Sequence, residues 1–233
     1  AQEAKLDLIC QKLQLKSGQT LLDIGCGWGG LVQFAVEKYG VKAVGITISQ
    51  EQAKLARQRC AGLDIEIREQ DYREINAKFD RIVSVGMIEH VGYKNYRQFM
   101  QIASQNLHDD GLFLLHTIGG NTSEKHTEPW LEKYIFPNSM IPSARQLTQA
   151  AEGIFMLKDW HNFGPDYDPT LMAWHKNFND HWDQIKHKYD ERFFRMWNYY
   201  LSAAAGSFRA QRNQLWQIVY SQIDAEVPYQ SVR

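Results

Sequence analysis

Short apolar runs alternate with segments of helical spacing through the first half of the chain. The apolar runs predict five strands, at Thr20–Ile24, Val41–Ile46, Asp64–Arg68, Phe79–Val85 and Leu112–Thr117. Apolar residues spaced three and four apart predict helices at about 4–13, 30–39, 49–60 and 95–107. Because strands alternate with helices, the pattern predicts an α/β fold with a doubly wound parallel sheet, whose ligands lie beyond the carboxyl ends of the strands.

The pattern changes after Gly119, where a loop begins. The segment Trp130–Pro137 is rich in aromatic residues and fits either a lid over the site or a short helix packed on the edge of the sheet. Ser143 is expected to cap a helix that runs to about Glu152, and Phe155–Trp160 is expected to be a strand. These elements would cover or extend the sheet rather than continue its alternation of strand and helix.

A stripe of aromatic and aliphatic residues at helical spacing follows Asp168. Its members are Leu171, Trp174, Phe178, Trp182, Ile185, Tyr189, Phe193, Trp197, Tyr200, Leu201, Ala204 and Phe208. The spacing predicts two amphipathic helices that pack over the sheet as a cap, with part of their inner face lining a pocket. A last apolar run, Leu215–Ser221, predicts a strand antiparallel to the others.

Composition narrows the range of functions. The 233 residues are 44% hydrophobic, enough for one elaborated domain, and the formal net charge of −1 gives no general attraction to nucleic acid. Three cysteines without metal-type spacing, and a start without an apolar signal region, are typical of a reducing cytoplasm. His175, His181 and His187 are six residues apart, which turns each by about 240° on a helix, so they cannot share a face as metal ligands and no metal is expected. No stretch reaches the roughly 20 apolar residues of a membrane-spanning helix, so any membrane contact would be peripheral.

The first predicted strand ends in a glycine-rich turn, Asp23-Ile24-Gly25-Cys26-Gly27-Trp28-Gly29-Gly30. Glycines allow a backbone to approach a ligand closely, and the helix that follows turns its free amides toward the same space. A turn that merely needs positive φ explains the glycines equally well. The order Asp-x-Gly-x-Gly-x-Gly favours a cofactor cradle, because it resembles the first motif of S-adenosylmethionine-dependent methyltransferases more than the dinucleotide fingerprint.

Two further residues follow neighbouring strands of the predicted sheet. Glu89 comes just after Phe79–Val85 and fits either a reactive carboxylate or an acid favoured by the dipole of a helix start. His116 lies near the end of the next strand, where a lone histidine is more often a satisfied core residue than a catalyst. Because the ends of these two strands lie side by side in this topology, we expect Glu89 and His116 to converge at the site.

Four stretches closely resemble the cyclopropane-fatty-acid synthase family, which includes the mycolic acid cyclopropane synthases. They are the glycine-rich turn, Gly45–Ser49, Gly86–Gly92 and Tyr200–Arg209, and the likeness runs nearly end to end. The resemblance implies the class I S-adenosylmethionine-dependent methyltransferase fold, a Rossmann-like doubly wound sheet, with an added helical cap. It implies transfer of a methylene group from S-adenosylmethionine to the cis double bond of an unsaturated fatty acyl chain of a membrane phospholipid. The cyclopropane ring would form through a carbocation that a bound bicarbonate ion deprotonates.

The resemblance also assigns site residues by matching motif positions. The cofactor-binding residues that it implies are Asp23, Gly25, Cys26, Gly27, Trp28, Gly29, Thr47, Ile48, Gln52, Asp71 and Tyr72. The catalytic residues that it implies, which would hold the bicarbonate, are Glu89, His116, Tyr167 and, through its backbone, Ile118. Many relatives carry a cysteine, sometimes proposed as a nucleophile, where this chain has Ala204, which cannot act in that way.

The family's arrangement further predicts how the chain is organised. Residues 1–120 would be the cofactor-binding core, 121–212 the lid and substrate-covering helices, and 213–233 the final strand and tail of a single catalytic domain. In relatives, a small lipid-binding domain, a cysteine that contacts bicarbonate and a Tyr-Ser cofactor contact precede the point where this chain begins. These parts are therefore expected to be absent from the chain.

The expected partner is unsaturated phospholipid at the inner face of the cell membrane, reached from the cytoplasm. Contact would come from Trp130–Phe136 and from bases such as Lys125 and Lys133, and a homodimer could form through regions that include the absent N-terminal domain. Two other functions stay open. A small-molecule S-adenosylmethionine methyltransferase predicts a polar pocket over Glu89, and a non-catalytic lipid-binding module predicts cofactor binding without turnover. The aromatic and aliphatic cover favours a long apolar substrate, and the pair of Glu89 with His116 favours chemistry.

Overall fold

The computed structural model describes residues 1–233, which form a seven-stranded sheet flanked by helices. The strands are β1 Thr20–Ile24, β2 Lys42–Thr47, β3 Ile65–Glu69, β4 Phe79–Val85, β5 Leu107–Gly120, β6 Phe155–Asn162 and β7 Asn213–Gln222. The helices are α1 Gln2–Lys12, α2 Gly30–Tyr39, α3 Gln50–Arg59, α4 Tyr96–Gln105, α5 Pro129–Tyr134, α6 Ala144–Ala151, α7 Gly164–Asp180, α8 Trp182–Ile185 and α9 Glu191–Arg209. Single 3-10 turns lie at Tyr72–Glu74, Ile88–His90 and Tyr93–Asn95. None of the helices combines the length and the apolar character needed to cross a membrane.

The strand order is β3-β2-β1-β4-β5-β7-β6. Strands β1 to β5 pair in parallel, whereas β7 is antiparallel to both β5 and β6, so the predicted antiparallel last strand is confirmed. The order reverses between β1 and β4, and in open α/β sheets such a reversal marks the crevice in which ligands bind. The carboxyl ends of β1, β4 and β5 therefore define the place to look for a site.

Alternation along β5 divides the core into two faces. Phe113 and Leu115 pack with α4 and α6, while Leu112 and Leu114 pack with α1, α2 and α3 on the other face. Because side chains of a strand alternate, His116 continues the face that is covered by α1. Beyond it on this face, α7 and α9 form a third apolar cluster, which receives Leu215 from β7. The predicted pair of amphipathic helices thus covers one end of one sheet face.

Local signals explain most helix starts. Ser49 accepts a hydrogen bond from the backbone N of Gln52 at the start of α3, and Ser143 forms a reciprocal capping box with Gln146 at the start of α6. Both capping serines are therefore where the sequence predicts them. The helix α7 begins at Gly164, four residues before the predicted Asp168, because its first turn contains Pro165, a residue favoured at that position.

Strand β5 and the aromatic segment differ from the sequence prediction. Strand β5 begins at Leu107 rather than Leu112, and α4 ends at Gln105 rather than about 107. Strand β5 does not stop at Thr117 but continues to Gly120, because Gly119 and Gly120 pair with the start of β7. A Cβ atom at Gly119 would lie 2.0 Å from the ring of Trp216, so only glycine allows this pairing. The aromatic segment contains a short helix, α5, and its rings pack against α9 rather than on the edge of the sheet.

Candidate active site

The glycine-rich turn after β1 is held by the neighbouring strand. The backbone N atoms of Gly25 and Cys26 both donate to the carbonyl O of Ile46 in β2, at 3.0 and 2.9 Å. A Cβ at Gly25 would lie 2.8 Å from Cγ of Met87, whereas a Cβ at Gly27, whose φ is +53°, would meet no atom within 4 Å. The turn is therefore packed against the protein on one side and borders open space at Gly27, as a ligand cradle requires.

Asp23 is the last-but-one residue of β1 and is almost fully enclosed. Its side chain is 2% exposed, and Oδ1 is buried without a hydrogen-bond partner. Burial raises the pKa of Asp23 to about 7. Since buried polar atoms in proteins are nearly always paired, an unpaired carboxylate oxygen beside the turn is a feature of a binding site rather than of a core.

The ends of β2 and β3 supply the other predicted cofactor residues. Thr47 Oγ1 donates to Gln52 Oε1 at 2.8 Å, which ties the end of β2 to the first turn of α3. Ile48 is 78% exposed and Trp28 is 48% exposed, so two large apolar side chains stand at this edge of the sheet. Asp71 is engaged by Arg73, which holds the pKa of that carboxyl below its usual value.

Tyr72, the last of the predicted cofactor residues, packs its ring edge-on against Phe99 of α4, with ring centroids 5.3 Å apart. It lies in the 3-10 turn that follows β3. Its position is therefore set by the core on the α4 face. The structure thus gathers all eleven predicted cofactor residues along the carboxyl ends of β1, β2 and β3.

Glu89 lies in the 3-10 turn after β4, and it reaches across to β5. Its Oε1 accepts a hydrogen bond from the backbone N of Ile118 at 2.9 Å, while Oε2 is buried without a partner. Burial raises the pKa of Glu89, opposed by the hydrogen bond from Ile118. Because its carboxylate bonds to β5, Glu89 does more than stabilise a helix start through the helix dipole, which was the alternative. The same contact also shows that the Ile118 amide, predicted to face a bicarbonate ion, is engaged by Glu89.

His116 lies on β5 directly beside the end of β4. It pairs in register with Val85, and its carbonyl O accepts from Gly86 N at 2.9 Å, so the predicted adjacency of the two strand ends is confirmed. The side chain is 8% exposed, and Nδ1 has no hydrogen-bond partner. Burial, together with the charges of Lys5 and Lys12, lowers the pKa of His116 to about 3, so the ring is neutral near pH 7. No hydrogen bond joins Glu89 to His116; the carboxylate is bonded instead two residues further along the same strand.

A row of polar side chains, absent from the sequence prediction, continues from His116 across the sheet. In register, His116 faces Gln217 of β7, and Gln217 faces His161 of β6. Gln217 is 1% exposed with Oε1 unpaired, and His161 Nδ1 lies 2.9 Å from Nζ of the buried Lys12. A glutamine inside the apolar run Leu215–Ser221 was the available signal for this row.

Tyr167 lies in the first turn of α7 and packs, like Tyr200, on the apolar cluster of α7 and α9, while Phe136 packs edge-on against Tyr200. We call these three rings the aromatic wall. The Tyr167 ring packs edge-on against Phe208 at 4.8 Å, and burial together with the charges of Tyr200 and Glu89 raises the pKa of Tyr167 to about 12. The centroid of the Phe136 ring lies 5.7 Å from that of Tyr200 and 6.4 Å from that of His90. The Tyr167 phenol makes no hydrogen bond to Glu89, whose carboxylate is bonded to Ile118. Ala204 packs half-buried against the cluster that α7 and α9 form.

The parallel sheet with an antiparallel β7, the acid and glycine turn after β1, and the crevice between β1 and β4 define the class I S-adenosylmethionine-dependent methyltransferase fold. Residues 1–218 match the family model described as mycolic acid cyclopropane synthetase. The chain belongs to this family.

Relatives and solved structures agree with that assignment. The chain is 56% identical over 221 residues to the cyclopropane-fatty-acyl-phospholipid synthase of Escherichia coli K12, an alignment that covers 95% of this chain and 58% of that protein. It is 32% identical to the sphingolipid C9-methyltransferase of Komagataella phaffii, covering 94% of this chain and 49% of that protein. The chain therefore spans about half the length of these curated relatives.

Among solved structures, the cyclopropane synthase MmaA2 from Mycobacterium tuberculosis superposes with a TM-score of 0.88 at 30% identity. The mycolic acid cyclopropane synthase CmaA1, complexed with SAH and CTAB, also gives a TM-score of 0.88, at 31% identity. Each comparison covers 95% of this chain and 84% of the other. The fold prediction, including the helical cap, is confirmed by these two structures.

Proposed function

We propose that this chain transfers a methylene group from S-adenosylmethionine to the cis double bond of an unsaturated fatty acyl chain of a membrane phospholipid. The observation that carries the proposal is a set of three buried polar atoms without partners at one edge of the sheet. They are Asp23 Oδ1, Glu89 Oε2 and His116 Nδ1. Similarity to a cyclopropane-fatty-acyl-phospholipid synthase along 95% of the chain supports the same reaction.

The residues of the cradle fit S-adenosylmethionine. Gly27 borders open space, Asp23 offers an unpaired carboxylate oxygen, and Ile48 and Trp28 offer apolar surface of the kind that packs against a nucleobase. CmaA1, which has the same fold, is complexed with SAH. When bound, S-adenosylmethionine supplies an electrophilic methyl group, and bicarbonate supplies a base.

The residues around Glu89 fit a small oxyanion that carries one proton. Glu89 Oε2 is an acceptor without a donor, and His116 is held neutral, so its ring presents one donor and one acceptor nitrogen. Tyr167 keeps its phenol proton, because its pKa is raised to about 12. We propose that these three side chains position the ion. Glu89 would accept from its hydroxyl, and the other two would orient its remaining oxygens.

The aromatic wall suits an apolar substrate better than a small polar one. A methyl transferred to an alkene leaves positive charge on the acyl carbon, and the faces of aromatic rings stabilise a desolvated cation by about 2 kcal/mol. Tyr167, Tyr200 and Phe136 supply such faces. Excluding water from this surface prevents capture of the cation as an alcohol.

We further propose peripheral contact with the membrane from the cytoplasm. The three cysteines, Cys10, Cys26 and Cys60, are buried free thiols, the form that a reducing compartment maintains. The aromatic segment around α5 lies at the surface beside α9, where it can meet a bilayer.

The direct test is to incubate the chain with S-adenosylmethionine and vesicles of monounsaturated phosphatidylglycerol, then to measure fatty acid methyl esters by gas chromatography. A product heavier by one CH₂ that resists hydrogenation at the former double bond is expected. Its rate should rise when bicarbonate is added to decarbonated buffer. Methylation of a soluble amine with no change in the lipid would contradict the proposal, and so would cofactor binding without any product.

A further inference from the structure

A surface cleft between α5 and α9 combines cations with aromatic rings. Its volume is about 350 Å³, and it is lined by Trp130, Tyr134, Arg192, Arg195, Met196 and Tyr199. We infer that this cationic cleft binds the phosphate headgroup of a phospholipid in a bilayer and so orients the acyl chain toward Glu89. The inference rests on the proposed function, which it extends by identifying where the headgroup is held.

The cations at the cleft have no carboxylate partner. None of the ion pairs in the structure includes Arg192, Arg195 or Lys133. The acids adjacent in sequence, Glu132 and Glu191, form no ion pair with these cations. Asp190 and Glu128 accept from the backbones of α9 and α5 instead. Unpaired guanidinium groups, which present parallel N–H donors, match the oxygens of a phosphate.

Two of these cations lie close to one aromatic ring of the cleft, that of Tyr134. The guanidinium of Arg192 lies 5.8 Å from the centroid of the Tyr134 ring, and the ammonium of Lys133 lies 5.2 Å from it. The same two cations lower the pKa of Tyr134. Because the whole chain carries a formal charge of only −1, attraction to an anion at this place is a local property of the cleft.

The aromatic part of the cleft fits the headgroup region of a lipid surface. Trp130 packs edge-on against Tyr199 at 4.6 Å, and Tyr199 is 58% exposed. Trp130 is half-buried. Tryptophan and tyrosine beside arginine are typical of the interface between water and hydrocarbon, where the rings lie among headgroups.

The two elements that form the cleft also border the site. Phe136, just after α5, contacts His90, and the backbone N of Met140 donates to the carbonyl O of Glu89 at 2.7 Å. Along α9, Arg192 and Tyr200 are separated by about 12 Å. One leaflet makes up roughly 15 Å of the hydrocarbon core of a bilayer, so this distance is shorter than an extended acyl chain. With its headgroup in the cleft, a phospholipid would therefore place the middle of its acyl chain near Glu89.

The test compares two pairs of substitutions that remove the same charge. Arg192→Ala with Arg195→Ala removes the cleft cations, and Lys38→Ala with Arg145→Ala removes two exposed cations from outside the cleft. Partition of each full chain onto vesicles of phosphatidylglycerol mixed with phosphatidylcholine is measured by co-sedimentation. The cleft pair should weaken partition roughly 30-fold, the size expected when two arginines at a membrane surface are lost, and the control pair less than twofold. Equal losses in both pairs, or no loss in the cleft pair, would overturn the inference.

Competition separates the lipid from other anions. Millimolar inorganic phosphate or polyglutamate should displace little of the unaltered chain from the vesicles. If phosphate displaces it fully, the cleft is a site for a soluble phosphate, and if polyglutamate does so, the cleft is a surface for an acidic protein. Either result would overturn the assignment to a lipid.

A parallel assay distinguishes this inference from the proposed function. Suppose that the unaltered chain forms cyclopropane lipid, and that the chain with Arg192→Ala and Arg195→Ala reaches the same rate at the same vesicle concentration. Only the inference about the headgroup then fails. If partition depends on the arginines but no lipid is ever converted, the proposed function fails and the cleft stands. Calorimetry with S-adenosylmethionine should give the same affinity for both pairs, because neither lies in the cradle.

Discussion

The cradle at β1 to β3 and the reaction centre at β4, β5 and β7 are built in different ways. In the cradle, side-chain hydrogen bonds join near neighbours, such as Thr47 to Gln52 and Asp71 to Arg73, and backbone bonds to Ile46 of the adjacent β2 hold the glycine-rich turn. In the reaction centre they join distant parts of the chain: Ile118 donates to Glu89, 29 residues away, and Lys12 meets His161, 149 residues away.

The two regions also differ in how many polar atoms lack partners. Asp23 Oδ1 is the single such atom of the cradle, whereas Glu89 Oε2, His116 Nδ1 and Gln217 Oε1 all belong to the reaction centre. Unpaired buried groups cost stability, and they persist where a ligand or a reaction uses them. The comparison teaches that the cradle needs only short-range bonds and the pairing of the adjacent strands β1 and β2, whereas the reaction centre depends on the assembly of β4, β5, β7 and β6.

The largest expected effect comes from Glu89→Gln in the reaction centre. The amide can still accept from Ile118, but it places a donor where the unpaired Oε2 offers an acceptor. We expect cyclopropane formation to fall by roughly 10²–10⁴-fold, the usual size for a lost general base or its positioning group, with S-adenosylmethionine affinity unchanged. Glu226→Gln, at an exposed position after β7, is the matched control. Turnover within tenfold of the unaltered chain would remove Glu89 from the reaction.

A comparable loss, now in binding, is expected from Gly27→Val in the cradle. The new side chain would fill the open space that Gly27 borders, so calorimetry should show at least a roughly 100-fold weaker affinity for S-adenosylmethionine. Gly153→Val is a close control, because Gly153 also has positive φ and open space around it but lies between α6 and β6. If both variants keep their affinity, Gly27 does not touch the cofactor.

A smaller effect concerns pH and stability, and it tests the unpaired atom of the cradle. Because burial raises the pKa of Asp23 to about 7, the folded chain holds this proton at pH values where the unfolded chain has released it. Its contribution to stability is therefore present at pH 5 and is lost as the pH rises to 8, by about 2–3 kcal/mol. The free energy of unfolding of the cofactor-free chain, measured in urea, should therefore fall more between pH 5 and pH 8 than that of Asp23→Asn. Parallel pH profiles would mean that Asp23 is solvated or paired.

The smallest effect is expected from Gln217→Leu, which tests whether the polar row belongs to the reaction centre. Gln217 faces His116 in register, and side chains of directly opposed residues lie within contact distance. We expect roughly tenfold slower turnover with cofactor affinity unchanged, and a shift of the His116 ring ¹⁵N resonances, because the neighbouring amide helps to choose the tautomer. If the His116 resonances do not shift, the row of polar side chains has only a structural role.

Sequence patterns predicted the cradle better than the reaction centre. The glycine turn and both helix caps were predicted correctly because each carries a short sequence motif, although β2 also holds the turn in place. The start of α7 was placed too late, although Tyr167 was still assigned to the site from motif matching. The engagement of Ile118 by Glu89 was not predicted, because it depends on how far β5 extends along β7.

The sequence by itself determined the order of strands and helices, the family and the acid and glycine turn, because hydrophobic periodicity and short motifs act locally. Only the tertiary structure decided which face His116 occupies, that Gln217 and His161 share its row, and that α5 and α9 enclose a cationic cleft. The physical reason is that these arrangements come from register and packing between elements far apart in the chain. A residue's place in such an arrangement depends on its partners across the sheet, which its neighbours in sequence do not specify.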